Sequence, residues 1–279
     1  MSDLVLDVES WSGKDRGDEN FPVGSMLVAP RLRPHIHAFY AFARNGDDIA
    51  DSGDLLADDK LARLDRMEAV LRGAETLGSA SATALRASLR ATGVTDRHGR
   101  DLLDAFRQDA TTSRYASWDG LFDYCRRSAM PVGRHVLDLH GEARDTWAAS
   151  DALSASLQVL NHLQDGKKDL VALDRCYLPA DLLAEAGSGV EELRGARQTP
   201  GLRRVFDALL DRCDALHAEA RELPRRVRDR RLRLETAVIV GLSHRLAARL
   251  RRGDPVAGRV KLTRADIAAS VLAAMRFLP

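Results

Sequence analysis

Two stretches of this sequence carry oxygen ligands at helical spacing. Asp47 and Asp51 stand four apart in Tyr40-Ala-Phe-Ala-Arg-Asn-Gly-Asp-Asp-Ile-Ala-Asp51. Asn161, Asp165 and Asp169 stand four apart in Asn161-His-Leu-Gln-Asp-Gly-Lys-Lys-Asp169. Side chains four apart share one face of an α-helix. Two such faces, far apart in sequence, can meet across a helical bundle. Carboxylates that line a cleft repel anions unless cations sit among them. Mg²⁺ suits that place, because it takes oxygen ligands, keeps several waters and shares the rest with substrate phosphates. The simplest chemistry is a Mg²⁺-diphosphate site built by two helices.

Each motif has a plainer alternative. Asp47, Asp48 and Asp51 could be an exposed acidic helix end. Against that, they close the otherwise apolar segment from Ala38 to Ala50, where a solvated face would carry Lys and Glu. Arg44 could form a helical ion pair or grip a diphosphate bidentately. Lys167 and Lys168 could be surface lysines or could neutralise a departing diphosphate. Tyr124 and Cys125 precede a run of small residues ending at Gly133. That run reads as close helix packing with a kink, or as freed backbone carbonyls that steady a carbocation. His35, His37, His135, His140 and His162 show no metal-ligand spacing and read as structural or solvated.

The elements that must position these residues are helical. The 279 residues hold few aromatics (5%) and few β-branched runs, which favours an all-α chain. The length suits one large domain or two small ones. Charged residues make up 30% and balance to +1, which argues against a bulk polyanion binder. The Arg-rich stretch 221–233 lacks interleaved aromatics, so no nucleic acid is expected. A solvated helix face is its ordinary reading, and attraction to an anionic membrane the other. Cys125, Cys176 and Cys213 have no paired spacing and read as reduced thiols. With no signal-peptide core and no spanning apolar run, a cytoplasmic protein is expected, at most peripheral on the inner face of a membrane.

Periodicity predicts helices following Pro34, over 58–72, 79–91 and 100–112, with His98-Gly99 as a break. A long helix over 118–139 should be kinked at Met130-Pro131. Further helices are expected over 147–164, 182–185, 190–196, 202–223 and 225–252, the last two separated by Pro224. A final amphipathic helix spans 263–277. Residues 1–18 read as a flexible tail and 19–279 as one domain.

Taken in order, these motifs resemble the squalene and phytoene synthase family. The matching residues are Tyr40 to Arg44, Asp47 to Asp51, Tyr124-Cys125 leading to Val132-Gly133, Asn161 to Asp169, and Asp174-Arg-Cys-Tyr-Leu-Pro179. They cover the chain from about residue 19 to 250. The Glu19-Asn-Phe-Pro-Val-Gly-Ser25 lead-in and the wording from Asn161 to Asp165 look most like the bacterial, hydroxysqualene-forming branch of hopanoid biosynthesis. The resemblance implies an all-α isoprenoid synthase (class I terpenoid synthase) helical bundle with a central cavity. It implies that Asp47, Asp51, Asn161, Asp165 and Asp169 hold Mg²⁺ and diphosphate, and that Arg44 and Arg175 contact the diphosphate. It places Tyr40, Tyr124 and Tyr177 along the reaction cavity.

Two positions depart from the family pattern. Gln164 stands where condensing members carry Arg, and Lys168 where they carry an acid. Both suit a reaction that starts from one diphosphate, with Lys168 adding positive charge beside the acid row. The implied reaction takes presqualene diphosphate and water to hydroxysqualene, with no reductant. The alternatives are condensation of two farnesyl diphosphates, and a catalytically inactive helical scaffold of the same fold. The implied partners are the prenyl diphosphate, an anionic membrane surface and, transiently, other enzymes of the hopanoid pathway.

Overall fold

The computed structural model describes residues 8–9 and 29–277, so the Glu19–Ser25 lead-in and nearly all of the expected 1–18 tail lie outside the described residues. Every regular element among them is helical, and one isolated parallel bridge joins Arg114 to Cys176. The chain divides into two compact units, residues 1–111 with 134–141, and residues 112–133 with 142–279.

The first unit is built from α1 (Arg33–Asp51), α2 (Ala57–Arg72), α3 (Ala80–Thr92) and α4 (Arg97–Thr111). Pro34 sits in the first turn of α1, where its missing N–H costs nothing. Ile36, Phe39, Phe42 and Ile49 then recur on one buried stripe, and Ser52 ends the helix. Phe42, Ile49, Leu64, Met67, Leu85, Leu102 and Leu103 are almost fully buried and form the core of this unit. Gly46 is required by this packing, since a Cβ there would lie 2.6 Å from the Phe106 ring of α4.

The expected break at His98-Gly99 does not occur, and α4 runs through both residues. Tertiary contacts outweigh the local signal. His98 Nε2 bonds Asp138 at 2.8 Å. Gly99 leaves room for Leu71 and Phe42, which a Cβ would approach to 3.1 and 3.3 Å. Val8 and Glu9 also join this unit. The Glu9 carboxylate accepts from Ser79 Oγ and from Ser81 N and Oγ at the start of α3.

The second unit holds α5 (Trp118–Ser128), α7 (Trp147–Leu173), α8 (Ala180–Glu185), α9 (Pro200–Ala220), α10 (Leu223–Arg226), α11 (Arg230–Arg252) and α12 (Arg264–Ala274); α6 (Met130–Leu139) begins in it. The predicted kinked helix is two helices that part at Ala129, with Pro131 in the first turn of α6 rather than inside a continuous helix. A Cβ on Gly133 would collide with Ser150 and Ser154 of α7, so the small residue sets that contact. At 27 residues α7 outruns its predicted end by nine, because Gly166, Leu170 and neighbouring buried positions continue its packing. α7, α9 and α11 pack against one another, and α12 lies along α11. The predicted helix over 190–196 is a short 3-10 turn, Val190–Arg194. Pro224 starts α10 instead of only ending α9.

Side-chain caps mark the helix starts. Ser79, Ser117, Thr199, Asp229 and Thr263 each accept a backbone N–H of the turn that follows. Such a cap is worth about 1 kcal/mol. All three cysteines are buried and free. No described helix is long and apolar enough to cross a membrane.

Candidate active site

The C-terminal turns of α1 gather the first acid row. Arg44 bonds Asp48 through Nε (3.1 Å) and Nη2 (2.7 Å), and its Nη1 lies 3.3 Å from Asp47. Asp48 is buried, while Asp47 keeps 37% of its side chain exposed. Desolvation by the protein packed around it, although more than a third of the side chain stays open to solvent, and then the charge of Asp51 lift the Asp47 carboxyl to about 7; Arg44 pulls it down, and Asp109 and Asp48 push it up. The acids here outnumber the guanidinium that faces them, so Asp47 holds a proton at a pH where carboxyls are ordinarily ionised. Added positive charge beside Asp47 would favour loss of that proton.

Asp109 of α4 joins this group although it belongs to no acidic motif. Its signal is faint but physical: it falls seven residues after Leu102, on the buried stripe of α4, where an acid is out of place. Tyr40, half-buried on α1, lies one turn before Arg44.

The second acid row runs along the last turns of α7. Asn161, Asp165 and Asp169 are half-buried, and Lys168 is exposed. Helical periodicity places Lys168 seven residues after Asn161 and close to its face. Arg259 grips both oxygens of Asp165, Nε–Oδ1 at 2.9 Å and Nη2–Oδ2 at 3.0 Å. Gln164 is buried and donates to Val260 O at 2.6 Å. Lys167 donates to Gly195 O and Val256 O. Thus segment 253–263 is fastened to α7 beside the acid row. Arg259 carries no sequence signal, because it lies in an irregular segment 94 residues from its partner.

The same unit collects an aromatic cluster. Tyr115, Tyr124 and Tyr177 have ring centroids 5.4–5.7 Å apart. His162 stacks on Tyr177 at 3.5 Å and stands 6.2 Å from Tyr124. Burial, assisted by the Arg175 charge, lowers His162 to about 3, so its imidazole is neutral. Arg175 is itself buried and donates to the Tyr177 hydroxyl at 3.2 Å. The turn that delivers Arg175 is held by Arg114, which bonds the Asp174 carboxylate at 2.7 Å and the Asp174 carbonyl. Asp174 closes α7 in a left-handed conformation, φ 50°. Of the predicted residues, Tyr124, Tyr177 and Arg175 therefore come together, with Tyr115 and His162 as additions.

No three His, Cys, Asp or Glu side chains among the described residues converge closely enough to cage a metal by themselves. The donor set is nonetheless right for Mg²⁺, which fills its octahedron with water and phosphate oxygens. On α1 the raised Asp47 marks a recess short of positive charge. On α7, Asp165 is already matched by Arg259.

The squalene/phytoene synthase family model matches residues 14–266. The hydroxysqualene synthase of Rhodopseudomonas palustris is 48% identical, over 91% of this chain and 87% of that one. The hydroxysqualene synthase of Sinorhizobium fredii is 46% identical, over 88% and 84%. The crystal structure of squalene synthase HpnC from Alicyclobacillus acidocaldarius is 36% identical and superposes with a TM-score of 0.75, over 85% of this chain and 90% of that one. With this fold, the all-α class I terpenoid synthase bundle, and with these motifs in this order, the chain belongs to the squalene/phytoene synthase family.

Proposed function

We propose that this protein is a hydroxysqualene synthase, converting presqualene diphosphate and water to hydroxysqualene and diphosphate. The observation that carries this reading is identity of 42–48%, over about nine-tenths of the chain, to relatives that bear that name. Asp47 and Asp51, backed by Asp109, and Asn161, Asp165 and Asp169 are the proposed oxygen donors to Mg²⁺. Bound Mg²⁺ would supply the charge that lets diphosphate leave with the bonding electron pair. Arg44, Arg175 and Lys168 are the proposed diphosphate contacts, Lys168 reaching from the solvent side.

Loss of diphosphate leaves a cyclopropylcarbinyl cation, which rearranges to the head-to-head skeleton before water bonds to it. Tyr40, Tyr124 and Tyr177 are proposed to face the prenyl chains, since the negative face of an aromatic ring favours a nearby cation. The oxygen that captures the cation must give up a proton. Neutral His162 suits the role of acceptor: a protonated alcohol is far more acidic than an imidazolium, even one whose pKa is lowered by burial. The long apolar substrate and product also imply work at a membrane surface.

The test incubates the purified protein and Mg²⁺ separately with presqualene diphosphate and with farnesyl diphosphate, and identifies the products. Hydroxysqualene from the first supports the reading. No turnover of the first, with presqualene diphosphate formed from the second, replaces it with a condensing synthase. Asp47→Ala, Asp165→Ala and Asp169→Ala should each abolish turnover while the protein stays helical. Retained turnover in all three would sink the metal assignment.

A further inference from the structure

Helix α12 is inside out. Its polar residues Asp266 and Ser270 are buried, while Ile267, Val271, Leu272 and Met275 are 47–70% exposed. Half of the exposed large hydrophobic residues described in the protein lie on this short segment. Its rotation is pinned. Arg249 bonds Asp266 at 2.5 Å and Thr263 at 3.0 Å, Thr263 and Asp266 form a capping box, and Ser270 packs on Gly241, whose added Cβ would meet it at 3.1 Å. The ion pair with Arg249 and the hydrogen bonds from Thr263 hold the Asp266 carboxyl well below the usual range, so it stays charged and tied inward. The helix cannot roll its apolar face into the protein without breaking these bonds.

The exposed charges on this segment have one sign. From Arg264 to Arg276 the sole acid is the buried Asp266. A recess of about 490 Å³, lined by Arg249, Arg252, Gly253, Val260 and Lys261, adjoins the start of α12. Arg252, Lys261, Arg264 and Arg276 are all exposed. An apolar helical face flanked by cations matches the boundary between acyl chains and anionic headgroups. A second copy fits less well: a twofold interface sets the same patch against itself, so cations would meet cations with no exposed acid on the helix to answer them.

We propose that α12 docks this protein on an anionic phospholipid bilayer, with Ile267, Val271, Leu272 and Met275 entering the acyl boundary and the Arg252–Lys261 recess taking a lipid phosphate. This deepens the membrane-surface part of the proposed function, and rests on it for purpose but not for geometry. The stretch 221–233 is a separate basic region and is not the face proposed here. There Arg225 pairs with Glu222, while Arg226 and Arg233 bond backbone carbonyls of this chain.

The experiment is vesicle flotation of the full chain without substrate. One vesicle is pure phosphatidylcholine; the other carries roughly one third phosphatidylglycerol. The parent should float with the anionic vesicle, and Val271→Glu/Leu272→Glu should lower the bound fraction about tenfold. Arg252→Glu/Lys261→Glu should lower it on anionic vesicles alone. All four residues are exposed, so circular dichroism should match the parent, and turnover of detergent-dispersed substrate should be unchanged. Equal flotation of parent and Val271→Glu/Leu272→Glu overturns the proposal. So does a parent dimer that this variant splits, which would assign the face to a second copy. A protein that floats as described but leaves presqualene diphosphate untouched refutes the functional reading and leaves the docking surface standing.

Discussion

The rings of Phe39 and His135 lie 3.8 Å apart, centroid to centroid, with their planes inclined by 10°. His135 is fully buried, and neither ring nitrogen has a hydrogen-bond partner among the described residues. Burial, then the neighbouring His98 and His35, lower it to about 3. The folded pKa lies below the unfolded value. The neutral ring is therefore tolerated above about pH 6.5, and stability is lost as pH falls from there toward 3, by about 1.4 kcal/mol per unit. His135→Phe keeps the stack and removes both the unpaired nitrogens and this slope. Thermal melts between pH 7 and 4 should show a higher Tm for the variant, with the gap widening as pH falls. A constant gap would mean that His135 is not the acid-sensitive group.

Asp47 behaves in the opposite sense. Its carboxyl is raised to about 7, above its unfolded value, so the folded protein holds a proton that the unfolded chain has already released. The stability that goes with this proton is fully present below about pH 4 and is lost progressively as pH rises from there to about 7. A cation entering the recess should expel the proton. Calorimetric Mg²⁺ titration at pH 7, in two buffers of different ionisation enthalpy, should show release of about half a proton. Asp47→Asn should abolish the release. Identical heats in both buffers for the parent would remove Asp47 from the cation site.

The Arg259–Asp165 pair should compete with metal for the same carboxylate. Its partners are 38% and 21% exposed. A pair this open to solvent is worth about 1 kcal/mol. Arg259→Gln should then move the midpoint of Mg²⁺-dependent thermal stabilisation about fivefold lower. Hydrogen exchange over residues 254–262 should quicken in the same variant. An unmoved midpoint would show that Asp165 does not bind the ion.

Gln164 and Lys168, the two positions that the sequence resemblance sets apart, are separated by the fold. Gln164 is buried against Val260. Gln164→Arg therefore adds volume and charge where neither fits, and should cost about 1–3 kcal/mol. Lys168 is exposed. Lys168→Glu should change the unfolding free energy by no more than roughly 0.5 kcal/mol. The second change alone should slow presqualene diphosphate turnover and steepen its Mg²⁺ dependence. Unchanged turnover across a Mg²⁺ titration would restrict Lys168 to solvation.

The acid rows were readable because four-residue spacing is a property of one helix. The all-α class was readable because local composition decides it. What escaped depends on pairings that local sequence does not contain. Asp109 joins Asp47 only once α1 and α4 have packed, and Arg259 meets Asp165 from an irregular segment. The run His98-Gly99 looked like a break because its compensating contacts, Asp138 and Phe42, are distant. Most instructive is α12. Apolar spacing shows that a helix has two faces, but not which face turns inward, and here the polar one does.

The Gly46–Phe106 contact has an evolutionary consequence. The ring lies where any side chain at 46 would begin, one residue before the first acid of the α1 row. Neither position is free to drift alone: a larger residue at 46 demands a smaller or tilted one at 106. Across natural relatives these two positions should therefore covary, and lineages that exchange the pair should do so through a temporarily weakened intermediate. The position of the Asp47 carboxylate is thus inherited partly through a phenylalanine on another helix.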